Sequence, residues 1–311
     1  MKRDFLTIPD VTVEELQRLV QRAIALKARR TQSPPVLKGN VIALVFQKPS
    51  MRTRVAFEVA VLELGGSVVY LGQEDIQLGQ REPVKDVARV LSRYVHGIVL
   101  RTFGHDNAQE FARHARVPVI NGLSDLVHPC QALADVFTIQ ESCGRLKGLR
   151  VAYVGDGNNV LHSLLQGYAM MGVSVAVATP PGYRPDRGIW TAAAREAKQR
   201  GASLTWDADP RRAVRGADVA YTDVWVSMGQ ETEREKRLKV FRPYQLNRSL
   251  LALAKPGCRI MHCLPAHRGE EITEDVMEGR RSVIFDQAEN RLHVQKALLW
   301  LLLSNGKRRS R

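Results

Sequence analysis

The chain has 311 residues, of which 44% are hydrophobic, 25% charged and 6% aromatic. That composition excludes a disordered, collagenous or disulfide-stapled protein and suits two domains of roughly 150 residues each. Forty-six basic against 32 acidic residues give a net charge of +14, which favours anionic partners. No aromatic residues interleave the basic ones, so the excess, including the KRRSR tail at 307–311, reads as solvated surface and not as a nucleic-acid groove. No run approaches the ~20 apolar residues of a membrane span, and the opening segment MKRDFLTIPDVTVEEL is too acidic for a secretory signal. Four cysteines are too few for a stapled secreted fold. A cytoplasmic protein without membrane or nucleic-acid partners is expected.

In chain order, Val13, Leu16, Leu19, Val20, Ile24 and Leu26 recur at helical spacing. VIALVF between Asn40 and Gln47 reads as a buried strand, and the stretch from Arg54 to Ser67 as a helix closed by two glycines. SVVYL is a strand, PVKDVARVLSRYV from Pro83 a helix with proline in its first turn, and GIVLRT and PVING two further strands. A long helix spans His128 to Gln140, and the glycine-punctuated turn CGRLKGL from Cys143 is a plausible linker. A second series then begins: strand GLRVAYVGD, helix Leu161 to Met171, strand VSVAVATP, helix Ile189 to Arg200, and strands ASLTW, ADVAYTD, CRIMHCLP and SVIFD. Glu289 to Leu303 is a closing helix. This alternation predicts two doubly wound α/β domains with parallel sheets and an interdomain active-site cleft. The expected domains are residues 1–140, with a C-terminal helix at 289–305 packing back on them, and residues 147–288.

Ligands of such sheets sit beyond the carboxyl ends of the strands. Lys48-Pro49-Ser50-Met51-Arg52-Thr53-Arg54 follows VIALVF and opens a helix. Unpaired backbone N–H groups, two hydroxyls and two guanidiniums there make an oxyanion cradle; the alternative is a Ser cap with surface arginines. Two arginines oppose the helix dipole, which favours a bound anion. Arg101 leaves GIVLRT toward the same crevice, although one arginine at a strand end is usually solvated. His128 and Gln131 lie three apart on one helical face and suit donation to one carbonyl oxygen, or simple capping.

The turn Gly155-Asp156-Gly157-Asn158-Asn159-Val160 resembles a dinucleotide fingerprint. Its third glycine position is Val160, and ATPPGYRP supplies no carboxylate after the next strand, which argues against nicotinamide. Asn158 and Asn159 read as amide donors. Asp223 ends a strand before a glycine-bearing loop through Ser227 and Met228, and suits an anchor for an ammonium group or a helix cap. In the segment from Met261 to Gly269, Cys258 and Cys263 differ by an odd number and face opposite sides of a strand, so no metal site is expected. Cys263 suits either a place beside an amine or a small buried hydrophobe. Glu289-Asn290-Arg291 opens the closing helix with an arginine able to reach back to the first domain.

Taken together, SMRTR at 50–54, Arg101, HPCQ at 128–131, GDGNN at 155–159, DVWVSMGQE at 223–231, HCLPAHRGEE at 262–271 and ENR at 289–291 resemble the ornithine carbamoyltransferases, in order over nearly the whole chain. Met51 departs from the family's usual threonine. The resemblance implies a carbamoyl phosphate domain followed by an ornithine domain, no cofactor, and a homotrimer or a multiple of trimers. It implies that Ser50, Met51, Arg52, Thr53 and Arg101 hold the phosphate, with Gln77 reaching the neighbouring subunit's site. Arg101, His128, Gln131 and Arg291 surround the carbamoyl group, with Cys263 and Leu264 beside it. By the same resemblance, Asn159, Asp223, Ser227, Met228 and Cys263 are expected to hold ornithine. Arg101, His128, Gln131, Cys263 and Arg291 are the implied catalytic set, transferring the carbamoyl group to the δ-amine through a tetrahedral intermediate to give citrulline and phosphate. The alternatives are a related enzyme acting on putrescine or acetylornithine, and a dinucleotide-binding oxidoreductase.

Overall fold

The computed structural model describes residues 2–227 and 229–304, so Met228 and the tail at 307–311 lie outside the described residues. The chain divides into two compact units. One comprises the residues up to Phe137 together with those from Glu289 onward, the other Thr138–Ala288. Both divisions fall inside helices, Pro129–Cys143 and Ile284–Leu303.

The first unit is built on four parallel strands, β1 (Val41–Phe46), β2 (Ser67–Leu71), β3 (Gly97–Arg101) and β4 (Val119–Leu123), in the order β2-β1-β3-β4. VIALVF and GIVLR are apolar without alternation because β1 and β3 are central and covered on both faces. Edge strand β2 is only partly buried. Pairing of Phe46 with Arg101 puts the end of β1 beside the end of β3, and the register shifts between Leu100 and Arg101. The first helix, Val13–Ala28, opens on a reciprocal cap: Glu15 N donates to Thr12 Oγ1 (3.3 Å) and Thr12 N to Glu15 Oε2 (3.0 Å). The closing helix packs on this unit. Lys27 Nζ donates to Asn290 Oδ1 (2.9 Å), Arg22 lies over Trp300 at 4.6 Å, and fully buried Lys296 donates to Glu63 Oε2 (2.6 Å) and Ser33 Oγ (2.8 Å).

The second unit carries five parallel strands, β5 (Arg150–Val154), β6 (Ser174–Ala178), β7 (Leu204–Asp207), β8 (Val219–Thr222) and β9 (Arg259–His262), ordered β7-β6-β5-β8-β9. Strand order reverses at β5, so the loops after β5 and β8 leave in different directions and open a crevice at the carboxyl edge. Two doubly wound parallel sheets are what the alternation of elements predicted.

Two local expectations fail. SVIFD is not a strand: Ser282 makes only an isolated bridge to Ile260, and from Ile284 the chain is helical to Leu303. Its apolar run is too short to outweigh the helix-forming residues from Asp286 onward. The helix His105–His114 went unnoticed, since its apolar face is only Ala108, Phe111 and Ala112 between polar neighbours.

Candidate functional site

The chemistry of the first unit gathers at the carboxyl ends of β1 and β3. Ser50 is the cap of the helix Met51–Glu63, and its hydroxyl accepts from Thr53 N (3.3 Å). The bland expectation for this serine is therefore met, and the cap aims the first helical turn. Arg54 does not join the cradle: it pairs with Glu58 (2.8 Å) and lies over Tyr70 at 3.6 Å. The helix thus offsets one of its two arginines internally, and that part of the anion argument lapses. Arg52 remains. It, Arg291 and Arg101 are close enough that burial, then Arg291, then Arg52 push the Arg101 guanidinium down to about 10. Arg101 and Arg291 are both buried, and Arg291 donates to the Thr53 hydroxyl (2.8 Å) across 238 positions of sequence.

His128 and Gln131 open the helix Pro129–Cys143 beside these guanidiniums. Burial, reinforced by Arg291, Arg101 and Arg52, holds His128 well below the usual histidine range, so its ring is neutral at pH 7. Gln131 donates to Asp135 Oδ1 (2.9 Å), which fixes its amide. Among the described residues, Arg101 Nε and Gln131 Oε1 are buried without a hydrogen-bond partner. A donor and an acceptor are thus both held ready in one basic pocket. Met51 is exposed and is the first residue of the helix that Ser50 caps. Gln77 is exposed with φ of 39°, and its hydrogen bonds stay within its own loop.

Sequence reasoning gave Lys48 no role. Its ammonium is buried, lies 4.2 Å over the Phe103 ring, and is shifted down by burial and by Arg101, with Asp125 opposing. It adds a further positive charge to the pocket. Its place two residues after β1, in the quoted KPSMRTR, was the available signal. Cys130, in the same HPCQ segment, is pushed up to about 12 by burial and serves as a neutral packing group.

In the second unit Asp223 follows β8 and is buried. Its Oδ1 accepts from Val224 N (2.8 Å) and from Cys263 Sγ (2.9 Å), and its Oδ2 accepts from Asn158 Nδ2 (2.7 Å). Asn158 therefore braces the carboxylate; Asn158 Oδ1 also caps the helix Asn159–Met170 through Val160 N and Leu161 N. Asn159 is the first residue of that helix and half-buried. Ser227 is half-buried and tied to Gln230 by Ser227 N to Gln230 Oε1 (3.1 Å). Asp156, also unassigned from sequence, forms a buried ion pair with Arg237, whose Nε donates to Trp225 O (2.5 Å). Burial dominates there and holds the Asp156 carboxyl above its ordinary range.

Leu264 has φ of 60°, a left-handed conformation that costs a non-glycine residue roughly 1–2 kcal/mol. It is held by Leu264 N donating to His262 Nδ1 (2.8 Å), while Glu271 carries His262 Nε2 (3.0 Å). Among the described residues, Gln77 and Leu264 are the non-glycine positions with positive φ. Both belong to the set singled out from sequence. A Cβ at Gly157 would stand 2.4 Å from Tyr183 O and Arg184 C, so only glycine fits where this turn packs on the Tyr183–Arg184 backbone. A hollow of about 290 Å³ lined by Cys143, Arg145, Asp218, Lys255 and Arg259 sits at the amino ends of β5, β8 and β9, the opposite end from Asp223.

Two family models match the chain. The carbamoyl-P binding domain of aspartate/ornithine carbamoyltransferases covers residues 3–141, and the Asp/Orn binding domain of the same enzymes covers residues 147–302. The ornithine carbamoyltransferase of Carboxydothermus hydrogenoformans is 53% identical, covering 97% of each chain. That of Bacillus subtilis is 51% identical over 98% of this chain and 95% of its own. The solved ornithine carbamoyltransferase of Pyrococcus furiosus superposes with a TM-score of 0.95 at 51% identity, covering 97% of each chain.

Proposed function

The chain belongs to the aspartate/ornithine carbamoyltransferase family, and from that premise we propose that it transfers the carbamoyl group of carbamoyl phosphate to the δ-amine of L-ornithine, giving L-citrulline and phosphate. The first unit supplies the carbamoyl phosphate site. What supports this most is the buried pocket in which Arg52, Arg101 and Arg291 meet a neutral histidine and a fixed amide. The guanidiniums, the Thr53 hydroxyl and the N–H groups of the turn from Ser50 suit a phosphate. Arg101 Nε suits an oxygen, and Gln131 Oε1 suits the carbamoyl NH₂, which is a donor. His128, being neutral, donates an N–H to the carbonyl oxygen and does not act as an imidazolium acid.

The second unit supplies the amino-acid site. Asp223, held between Asn158 and Cys263, pairs with the α-ammonium; Asn159, Ser227 and Met228 complete that end, and Cys263 with Leu264 faces the δ-amine. The neutral amine attacks the carbamoyl carbon and forms the C–N bond. The oxyanion of the tetrahedral intermediate is met by Arg101, His128 and Arg291. It collapses by breaking the carbon to phosphate-oxygen bond, and the attacking nitrogen passes its proton to the oxygen of the departing phosphate.

We also propose that the enzyme works as a homotrimer, or a multiple of trimers, in the cytoplasm, with Gln77 reaching a neighbouring subunit. Exposed Met51, Val55 and Leu62 on one helix, with Val69 nearby in sequence, form an apolar surface that suits burial by another copy. Four free thiols suit a reducing compartment. The deciding experiment is product formation from carbamoyl phosphate with ornithine, putrescine and acetylornithine side by side. Citrulline from ornithine alone supports the reading, and preference for either other amine overturns it.

A further inference from the structure

We propose that His267 Nδ1, Glu270 Oε2 and Glu271 Oε2 form a binding site for one divalent transition-metal ion, in the loop that follows Cys263. All three atoms are buried and without a hydrogen-bond partner among the described residues, yet they lie within 4.8 Å of one another. His267 Nδ1 is 4.0 Å from Glu270 Oε2 and 3.8 Å from Glu271 Oε2. An ion with bonds of about 2.0–2.2 Å spaces neighbouring ligand atoms by roughly 3–3.5 Å, so side-chain movements below about 1 Å close the set. The Glu271 side chain is 0% exposed. A carboxylate oxygen buried there without a donor is costly unless a cation meets it. Half-exposed His267 (42%) leaves a route to solvent.

The supporting atoms are already in place. Glu271 Oε1 accepts from His262 Nε2 (3.0 Å) and His267 N (2.6 Å), and Glu270 Oε1 pairs with Arg234. Each carboxylate thus has one oxygen anchored and the other turned toward the imidazole, the arrangement that orients metal ligands. Gln245 Nε2 donates to the carbonyls of Gly269 and Glu270, both at 2.8 Å, and holds the backbone. The neighbouring group of Asp223, His262 and Cys263 is also close-set, but its atoms satisfy one another. Cys263 donates to Asp223, and His262 uses both ring nitrogens, on Leu264 N and on Glu271. One imidazole and two carboxylates favour Zn²⁺, Co²⁺ or Mn²⁺ over a soft-metal site. Cysteine spacing, which argued against metal in this segment, does not bear on oxygen ligands. Through Glu271 and His262 the ion would brace the loop that presents Leu264.

Co²⁺ titrated into the chelator-treated full chain tests this. One equivalent should bind, with visible d–d absorption and no intense near-ultraviolet thiolate charge-transfer band, and Zn²⁺ should displace it. His267→Ala and Glu270→Gln should each weaken binding at least about tenfold, while melting like the parent in chelator. Co²⁺ should raise the melting temperature of the parent and of neither variant. Absence of stoichiometric binding would overturn the proposal. So would a thiolate band that persists in His267→Ala, which would place the ion at Cys263. Neither result bears on carbamoyl transfer.

Discussion

Arg101→Met separates the cost of the anion pocket from its use. In the folded protein the Arg101 guanidinium is pushed from its ordinary value down to about 10, chiefly through burial and then through Arg291 and Arg52. At pH 7 the group is charged both folded and unfolded, so the penalty is fully present. At about 1.4 kcal/mol per pH unit, it amounts to roughly 3 kcal/mol of destabilisation. Methionine approximates the stem of the side chain and removes the charge. In phosphate-free buffer the variant should therefore be more stable, by about 1–3 kcal/mol after some loss of packing, or several degrees at roughly 2–4 °C per kcal/mol. Inorganic phosphate should erase most or all of that advantage. The parent gains about 2.7 kcal/mol at a hundredfold excess over the dissociation constant, and the variant gains little. The assay is a melting series in both proteins across phosphate concentrations at constant ionic strength. A variant that melts lower than the parent without phosphate, yet keeps the parent's phosphate shift, would refute both the electrostatic reasoning and the placement of Arg101.

Asp223→Asn keeps the shape but removes the charge proposed to pair with the α-ammonium, so KM for ornithine should rise at least about tenfold while KM for carbamoyl phosphate stays within about twofold; equal changes in both would count against the assignment. Because His128 stays neutral, kcat/KM for ornithine should climb with pH as the δ-amine, ordinarily near 10.4, loses its proton. A separate limb near pH 6.5 that vanishes in His128→Gln would contradict a neutral donor. Arg3 holds the Glu15 carboxyl down to about 2. This depressed acid contributes stability above its unfolded value of 4.5 and loses it as pH falls toward 2. Glu15→Gln should lower the melting temperature at pH 7 by an amount that shrinks to nothing near pH 2, and an unchanged difference at both pH values would exclude the pair as its source.

Much of this protein was legible locally. VIALVF and GIVLRT read as strands because an unbroken apolar run suits a strand covered on both faces. The parallel order of both sheets followed from alternation of strand and helix. Polar residues just past those strands marked the candidate site, since a parallel sheet leaves its carboxyl edge for ligands. What needed the tertiary structure was which polar residue faces which. Arg52 and Arg54 are equivalent in sequence, yet Tyr70 and Glu58 claim one of them. Asn158 and Asn159 read alike in sequence, and the fold turns the Asn158 amide onto Asp223 across 65 positions. The neutral state of His128 arises from burial and then from Arg291, Arg101 and Arg52, brought together from distant elements. Periodicity encodes which face of an element is buried; the sign and spacing of charges within a pocket depend on chain segments up to 238 positions apart, and only packing brings those together.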